Sequence, residues 1–275
     1  MAKLVQIGQT AIGGSGPLTL IAGPCVIESY ELLKIVAEKL LEVTEKLGLR
    51  LVFKSSFDKA NRSSGDSFRG PGFETGLGLL ADLKKEYNLS IVSDVHETWQ
   101  VKIAAKVLDL IQIPAFLARQ TDLLIAAADS GRPTQVKKGQ FMAPEDMLLV
   151  AEKMANRQNF AGLTLVERGS CFGYHNLVVD MRSLVVMARC GWPVVMDATH
   201  AAQLPTAAGG CSGGQREFIP ALAKAAVAVG VDGLFLETHP DPAKAKCDGP
   251  NQWPLDQLES LLTEALAIWR LRSNF

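Results

Sequence analysis

The sequence predicts a parallel α/β protein closed into a (β/α)8 barrel, the TIM-barrel arrangement. Eight apolar, Val/Ile/Leu-rich runs fall near 18–23, 50–54, 90–94, 110–114, 134–137, 162–167, 193–197 and 233–237. Between and after them lie eight stretches with helical apolar spacing, at 30–47, 75–87, 97–107, 121–129, 145–157, 178–190, 216–229 and 255–270. Strict alternation of eight strands with eight helices favours a closed barrel over an open sheet. The first run is followed by GPCVIES rather than G-x-G-x-x-G, which makes a doubly wound sheet the weaker reading.

Each element has a local reason. Residues 3–8, KLVQIG, precede the first barrel strand and suit a short N-terminal β-hairpin sealing the barrel bottom. The stretch YELLKIVAEKLLEVTEKL carries apolar residues at 3–4 spacing, with Ser29 as N-cap and Gly48 as helix end. Pro144-Glu145 and Pro254-Leu255 suit first turns, and Gly191 and Gly230 suit helix ends. The glycine-rich stretch TAAGGCSGGQ, Thr206–Gln215, suits a mobile segment above the site or, equally, a long surface loop. With no linker, tandem repeat or low-complexity tract, residues 1–275 read as one barrel domain.

Composition excludes several classes. Hydrophobic content of 48% suffices for a large core, and a net charge of −1 gives no reason to expect nucleic acid or an anionic membrane as partner. No apolar run reaches the roughly 20 residues of a membrane span, and MAKLVQIGQT lacks a signal-peptide core, so the expectation is cytoplasmic. Five irregularly spaced cysteines, Cys25, Cys171, Cys190, Cys211 and Cys247, are expected as free thiols.

Nearly every strand-like run ends in a reactive cluster, and parallel α/β enzymes place chemistry at strand C-termini. Cys25 ends strand 1, His200 follows strand 7, Glu237 ends strand 8 and Asp248 follows it. Strand 8 lies between strands 7 and 1 in a closed barrel, so these four converge. A thiolate, an imidazole and two carboxylates suit a borderline divalent ion, Zn²⁺, Fe²⁺ or Mn²⁺. Spacing alone leaves open that Cys25 is a buried apolar residue and the others structural hydrogen-bonders, with His239 and Cys247 as rival ligands. Lys54, Lys59, Arg62, Arg119, Lys137, Lys138 and Arg168 put seven cations near strand ends, a cavity suited to multiply charged anions. A Schiff-base lysine, Lys54 or Lys137, is the rival chemistry. Ser/His/Asp hydrolysis lacks its G-x-S-x-G elbow.

GPCVIES, FKSSFDKANRSS, SDVHE, IQIPAFLARQTDLL, VKKGQF, ERGSCFGYHNLVVDMRSL, DATH and ETHPDP resemble the motif set of the 3-deoxy-D-manno-octulosonate 8-phosphate synthases, at all eight strand ends in order. The resemblance implies a transferase that condenses phosphoenolpyruvate with D-arabinose 5-phosphate and water, releasing inorganic phosphate, on the way to the Kdo sugar of lipopolysaccharide. The related 3-deoxy-arabino-heptulosonate 7-phosphate synthases use erythrose 4-phosphate and resemble K-P-R-T-S where this chain has Lys59-Ala60-Asn61-Arg62-Ser63. A barrel that binds sugar phosphate without catalysis is a third reading.

Carried over residue by residue, the resemblance implies that Lys54, Lys59, Lys137 and Arg168, with Gln140, hold phosphoenolpyruvate. Asn61, Arg62 and Ser63 would bind arabinose 5-phosphate, with Asp94 and His96 lining its path. Arg119 would reach a neighbouring subunit's site in a homotetramer. Metal-dependent members carry Cys at the position of Cys25 and metal-independent ones carry Asn, which implies Cys25, His200, Glu237 and Asp248 as metal ligands. Catalytic roles are implied for Lys59, as proton donor, and for Cys25, His200 and Asp248. His175 departs from the pattern, where Asn is common.

Overall fold

The computed structural model describes residues 1–61, 65–208 and 211–272, with backbone only at 206–208, 211–212 and 272. The chain opens with an antiparallel hairpin, Val5–Ile7 against Thr10–Ile12. Gly8 takes the left-handed φ of +55° that its two-residue turn demands. Eight strands follow: β1 (Thr19–Gly23), β2 (Arg50–Lys54), β3 (Ile91–Asp94), β4 (Leu110–Ile113), β5 (Thr134–Lys137), β6 (Leu163–Glu167), β7 (Val194–Asp197) and β8 (Gly233–His239). Each pairs in parallel with the next, and β8 also pairs in parallel with β1, so the sheet closes. The principal helices are α1 (Tyr30–Leu47), α2 (Phe73–Tyr87), α3 (Thr98–Ala104), α4 (Thr121–Asp129), α5 (Asp146–Ala155), α6 (Arg182–Ala188), α7 (Ile219–Val229) and α8 (Leu258–Arg272).

Side chains alternate across a strand with period two, and this single rule builds both core and site. Ile21, Val52, Val92, Leu110, Val166, Val195 and Phe235 point inward and fill the barrel. Val5, Ile7 and Ile12 of the hairpin pack against them, so the hairpin closes the barrel as expected. Two residues further along, the same inward faces present Lys54, Asp94, Gln112, Arg168, Asp197 and Glu237. The opposite faces join the helices in a second, larger apolar layer.

Local signals set most helix ends. Ser29 Oγ accepts from Leu32 N at 3.1 Å, and Gly48 ends α1 at φ +69°. The 178–190 pattern over-reached at its start, because Leu177 and Val178 pair with Cys171 and Ser170 in a two-residue ladder before α6 begins. The stretch read as a glycine loop is also partly ordered: Gln203–Ala208 pairs antiparallel with Cys211–Gly214. Gly209 and Gly210 lie outside the described residues.

Candidate active site

One cavity of about 670 Å³ opens at the C-terminal ends of the strands. Its lining brings together Lys54, Lys59, Asn61, Asp94, His96, Lys137, Gln140, Arg168, His200, Glu237 and Asp248. These come from strand ends and loops spread over nearly 200 residues of sequence, and barrel closure alone makes them neighbours. Cys25 is fully buried behind the lining, against Cys247. Arg119 is exposed and does not line the cavity. Arg62 and Ser63 lie outside the described residues.

The cavity is not the unrelieved cationic bowl expected from the seven strand-end cations. Among described residues, Lys54, Lys59, Lys137, Arg168 and Lys246 line it alongside Asp94, Glu237 and Asp248. Lys54 Nζ donates to Glu237 Oε1 at 2.5 Å and to the Cys25 carbonyl at 2.9 Å. Lys137 Nζ donates to Asp197 Oδ2 at 2.6 Å and sits 3.8 Å from the centre of the buried Phe235 ring of the barrel core. Like Arg119, Lys138 stays out of the lining: it points to the other side of the strand end, buried against Ser170 Oγ at 3.1 Å and Glu167 at 3.4 Å. It belongs to the scaffold.

This interleaving fixes charge states. Burial opposes the Asp94, Asp197 and Glu237 carboxylates, but neighbouring cations outweigh it and hold all three below the usual carboxylate range. For Asp94 the opposing partners are His96, which lies 3.1 Å away, Lys59 and Lys54. Burial also works against Lys59, yet Cys25, Glu237, Cys247 and Asp94 raise it well above an ordinary lysine. Burial pulls Lys137 and Arg168 downward despite the carboxylates beside them. His96 Nδ1, Gln140 Oε1 and Arg168 Nη1 are buried without a hydrogen-bond partner among the described residues. Such orphaned polar atoms at a cavity point to a polar ligand that completes them.

A metal ion fits the donor set. Cys25, Cys247 and Asp248 offer ligand atoms within 4.8 Å of one another, as do His200, Glu237 and Asp248, so Asp248 links the two groups. Asp197 Oδ2 lies 2.7 Å from His200 Nδ1, which places the neutral ring's proton there. Nε2 is thereby left as a lone-pair donor, 3.6 Å from Glu237 Oε2. This carboxylate–histidine arrangement recurs behind metal-ligating imidazoles. His239, the rival imidazole, instead faces Glu28 at 3.7 Å and accepts from Asp241 N.

Sequence reasoning missed Gln112, Gln203, Phe68 and Lys246 in the lining. Gln112 was legible from the period-two rule, two residues after inward-facing Leu110. Gln203 accepts from Arg168 Nη2 at 3.0 Å, a pairing between the end of β6 and the hairpin after β7 that no local pattern encodes. His175, in the left-handed region at φ +51°, places Nδ1 2.9 Å from the Pro205 carbonyl. It thus ties the loop after β6 to the hairpin that carries Gln203.

The profile described as the DAHP synthetase I family matches residues 3–271. Relatives named 2-dehydro-3-deoxyphosphooctonate aldolase match over nearly the full length of both chains. The protein of Syntrophotalea carbinolica is 55% identical over 268 residues, 98% of this chain and 96% of that one. That of Desulfotalea psychrophila is 56% identical over 265 residues, covering 95% and 93%. That of Stenotrophomonas maltophilia is 57% identical over 257 residues, covering 94% and 93%. With its barrel, its strand-end cavity and a match over nearly its whole length, the chain belongs to the DAHP synthetase I family.

Proposed function

We propose that this chain condenses phosphoenolpyruvate with D-arabinose 5-phosphate and water, giving 3-deoxy-D-manno-octulosonate 8-phosphate and inorganic phosphate. The observation that carries the reading is one cavity lined by paired cations and orphaned polar atoms, with five metal-capable residues at its wall and just behind it. The names of the relatives support the eight-carbon product, and Asn61 in the lining supports the pentose phosphate over erythrose 4-phosphate.

Two multiply charged substrates repel each other, so the first task is to hold them together. Arg168 and Lys137, with Gln140, Lys54 and Lys59, take the phosphate and carboxylate of phosphoenolpyruvate. The unpartnered Arg168 Nη1 and Gln140 Oε1 are free to turn to it. Asn61, Arg62 and Ser63 bind the sugar phosphate, and Asp94 and His96 line the path of its chain. Cys25, His200, Glu237 and Asp248 hold a divalent ion, zinc, iron or manganese, which when bound supplies Lewis acidity toward an oxygen of the substrates. Asp197 fixes the His200 tautomer. Lys59, kept protonated by the acidic groups around it, donates the proton as phosphate departs. The chain works as one barrel unit in a cytoplasmic homotetramer, and exposed Arg119 reaches the sugar phosphate in a neighbouring subunit's site.

Phosphate release tests the reading. Phosphoenolpyruvate mixed with arabinose 5-phosphate is expected to release phosphate stoichiometrically, and erythrose 4-phosphate to release little. The reverse preference would make the chain a heptulosonate synthase, and release with neither sugar would leave a binding barrel.

A further inference from the structure

Cys25, after β1, and Cys247, in the loop after β8, meet at the seam where the barrel closes. Their Sγ atoms lie 2.7 Å apart. Two thiolates on one tetrahedral ion, each at about 2.3 Å from it, would stand about 3.8 Å apart. A disulfide holds its sulfurs at about 2.05 Å. The observed separation is nearer the second. The approach is also built into the scaffold. The buried Gln252 side chain donates from Nε2 to the Cys247 carbonyl at 2.8 Å and accepts from Cys25 N at 3.3 Å, clamping both backbones together. On the other side of Cys247, Lys246 N donates to Glu28 Oε1 at 3.0 Å. Cys247 lines the cavity, whereas Cys25 is wholly enclosed behind it.

We propose that Cys25 and Cys247 are a reversible redox pair: in the metal-free enzyme a peroxide joins them in a disulfide that removes Cys25 as a ligand, and bound metal prevents this by engaging the sulfur. Hydrogen peroxide reaches Cys247 from the cavity and oxidises its thiol to a sulfenic acid, releasing water. The Cys25 thiol attacks that sulfur; the S–S bond forms, the S–O bond breaks, and the hydroxyl leaves as a second water with the thiol proton. Contact between the sulfurs makes this step faster than further oxidation of Cys247. The pairing rests on the sulfurs and their clamp, while protection by metal rests on the metal reading above.

The experiment treats full-length protein with hydrogen peroxide after chelation, beside a sample reloaded with zinc, and maps unreduced peptides by mass spectrometry. Expected in the metal-free sample is one linked peptide joining Cys25 to Cys247 and the loss of two of the five thiols. Dithiothreitol restores both, and Cys247→Ser abolishes the link. Cys25 or Cys247 oxidised singly, or joined instead to Cys171, Cys190 or Cys211, overturns the pair, and the wild-type map decides this even if the variant fails to fold. A link formed equally in the zinc-loaded sample overturns the protection and Cys25 as ligand, while the pair itself stands.

Discussion

Two adjacent lysines show how finely the strand end sorts function. Lys137 and Lys138 are both nearly buried, but successive side chains point to opposite faces. Lys137 enters the cavity, and Lys138 enters a shell of Glu167, Ser170 and the Gly169 carbonyl. Lys138→Met therefore leaves Glu167 without its cation, which costs about 3–5 kcal/mol in urea unfolding, with KM values near wild type. Lys137→Met also takes a cation from a buried carboxylate, although Asp197 keeps its contacts to His200 and Thr199, so this variant loses turnover as well as stability. Equal stability losses with equal kinetic effects would dissolve the distinction. Asp197→Asn disturbs the proton on His200 Nδ1, and a lost partner of this kind weakens metal binding about 10–100-fold. Chelator competition reads this directly, and unchanged affinity would remove His200 from the ligand set. The sequence lists both lysines as strand-end cations. Only the register of the strand separates them, and inward-facing Gln135 two residues before Lys137 carried that register.

At the scale of elements, the hairpin at residues 5–12 is a plug. Its Ile7 and Ile12 are fully buried beneath the barrel layer, at the end away from the cavity. Ile12→Ala is expected to lower stability by about 2–5 kcal/mol, while KM for either substrate stays unchanged. A shift in KM without a stability loss would mean that the plug is coupled to the site. This element was legible from KLVQIG because apolar alternation in front of a complete set of eight strands has one place left to pack. The barrel strands were legible for a related reason: buried parallel strands read as continuous Val/Ile/Leu runs. The stretch after β7 was misread because glycines suggested a loop, whereas its flanks pair as a hairpin. Gln203 and Pro205 on that hairpin reach the cavity through contacts with Arg168 and His175, which lie about 30 residues away in sequence. Local composition holds no record of such pairings.

Across the whole molecule, the site is also a store of stability with a definite pH dependence. Asp94, Asp197 and Glu237 all have folded-state affinities for protons below the unfolded value. A carboxylate depressed in this way stabilises the fold above its unfolded pKa of about 4. That contribution fades as pH falls through the lower folded value, because the unfolded chain takes up the proton first. Stability of the chelated protein is therefore expected to be flat near neutrality and to fall steeply below about pH 4. The steepness carries the assignment. One carboxylate that binds its proton only on unfolding adds about 1.4 kcal/mol per pH unit to the slope. Asp197→Asn removes that proton from the balance, so its acid limb is expected to be shallower by about this amount, whatever the variant's stability at neutral pH. Urea unfolding of both proteins at a series of pH values measures it. Parallel acid limbs in wild type and variant would mean that Asp197 is not held ionised by Lys137, His200 and Arg168, and the electrostatic frame of the cavity would have to be redrawn.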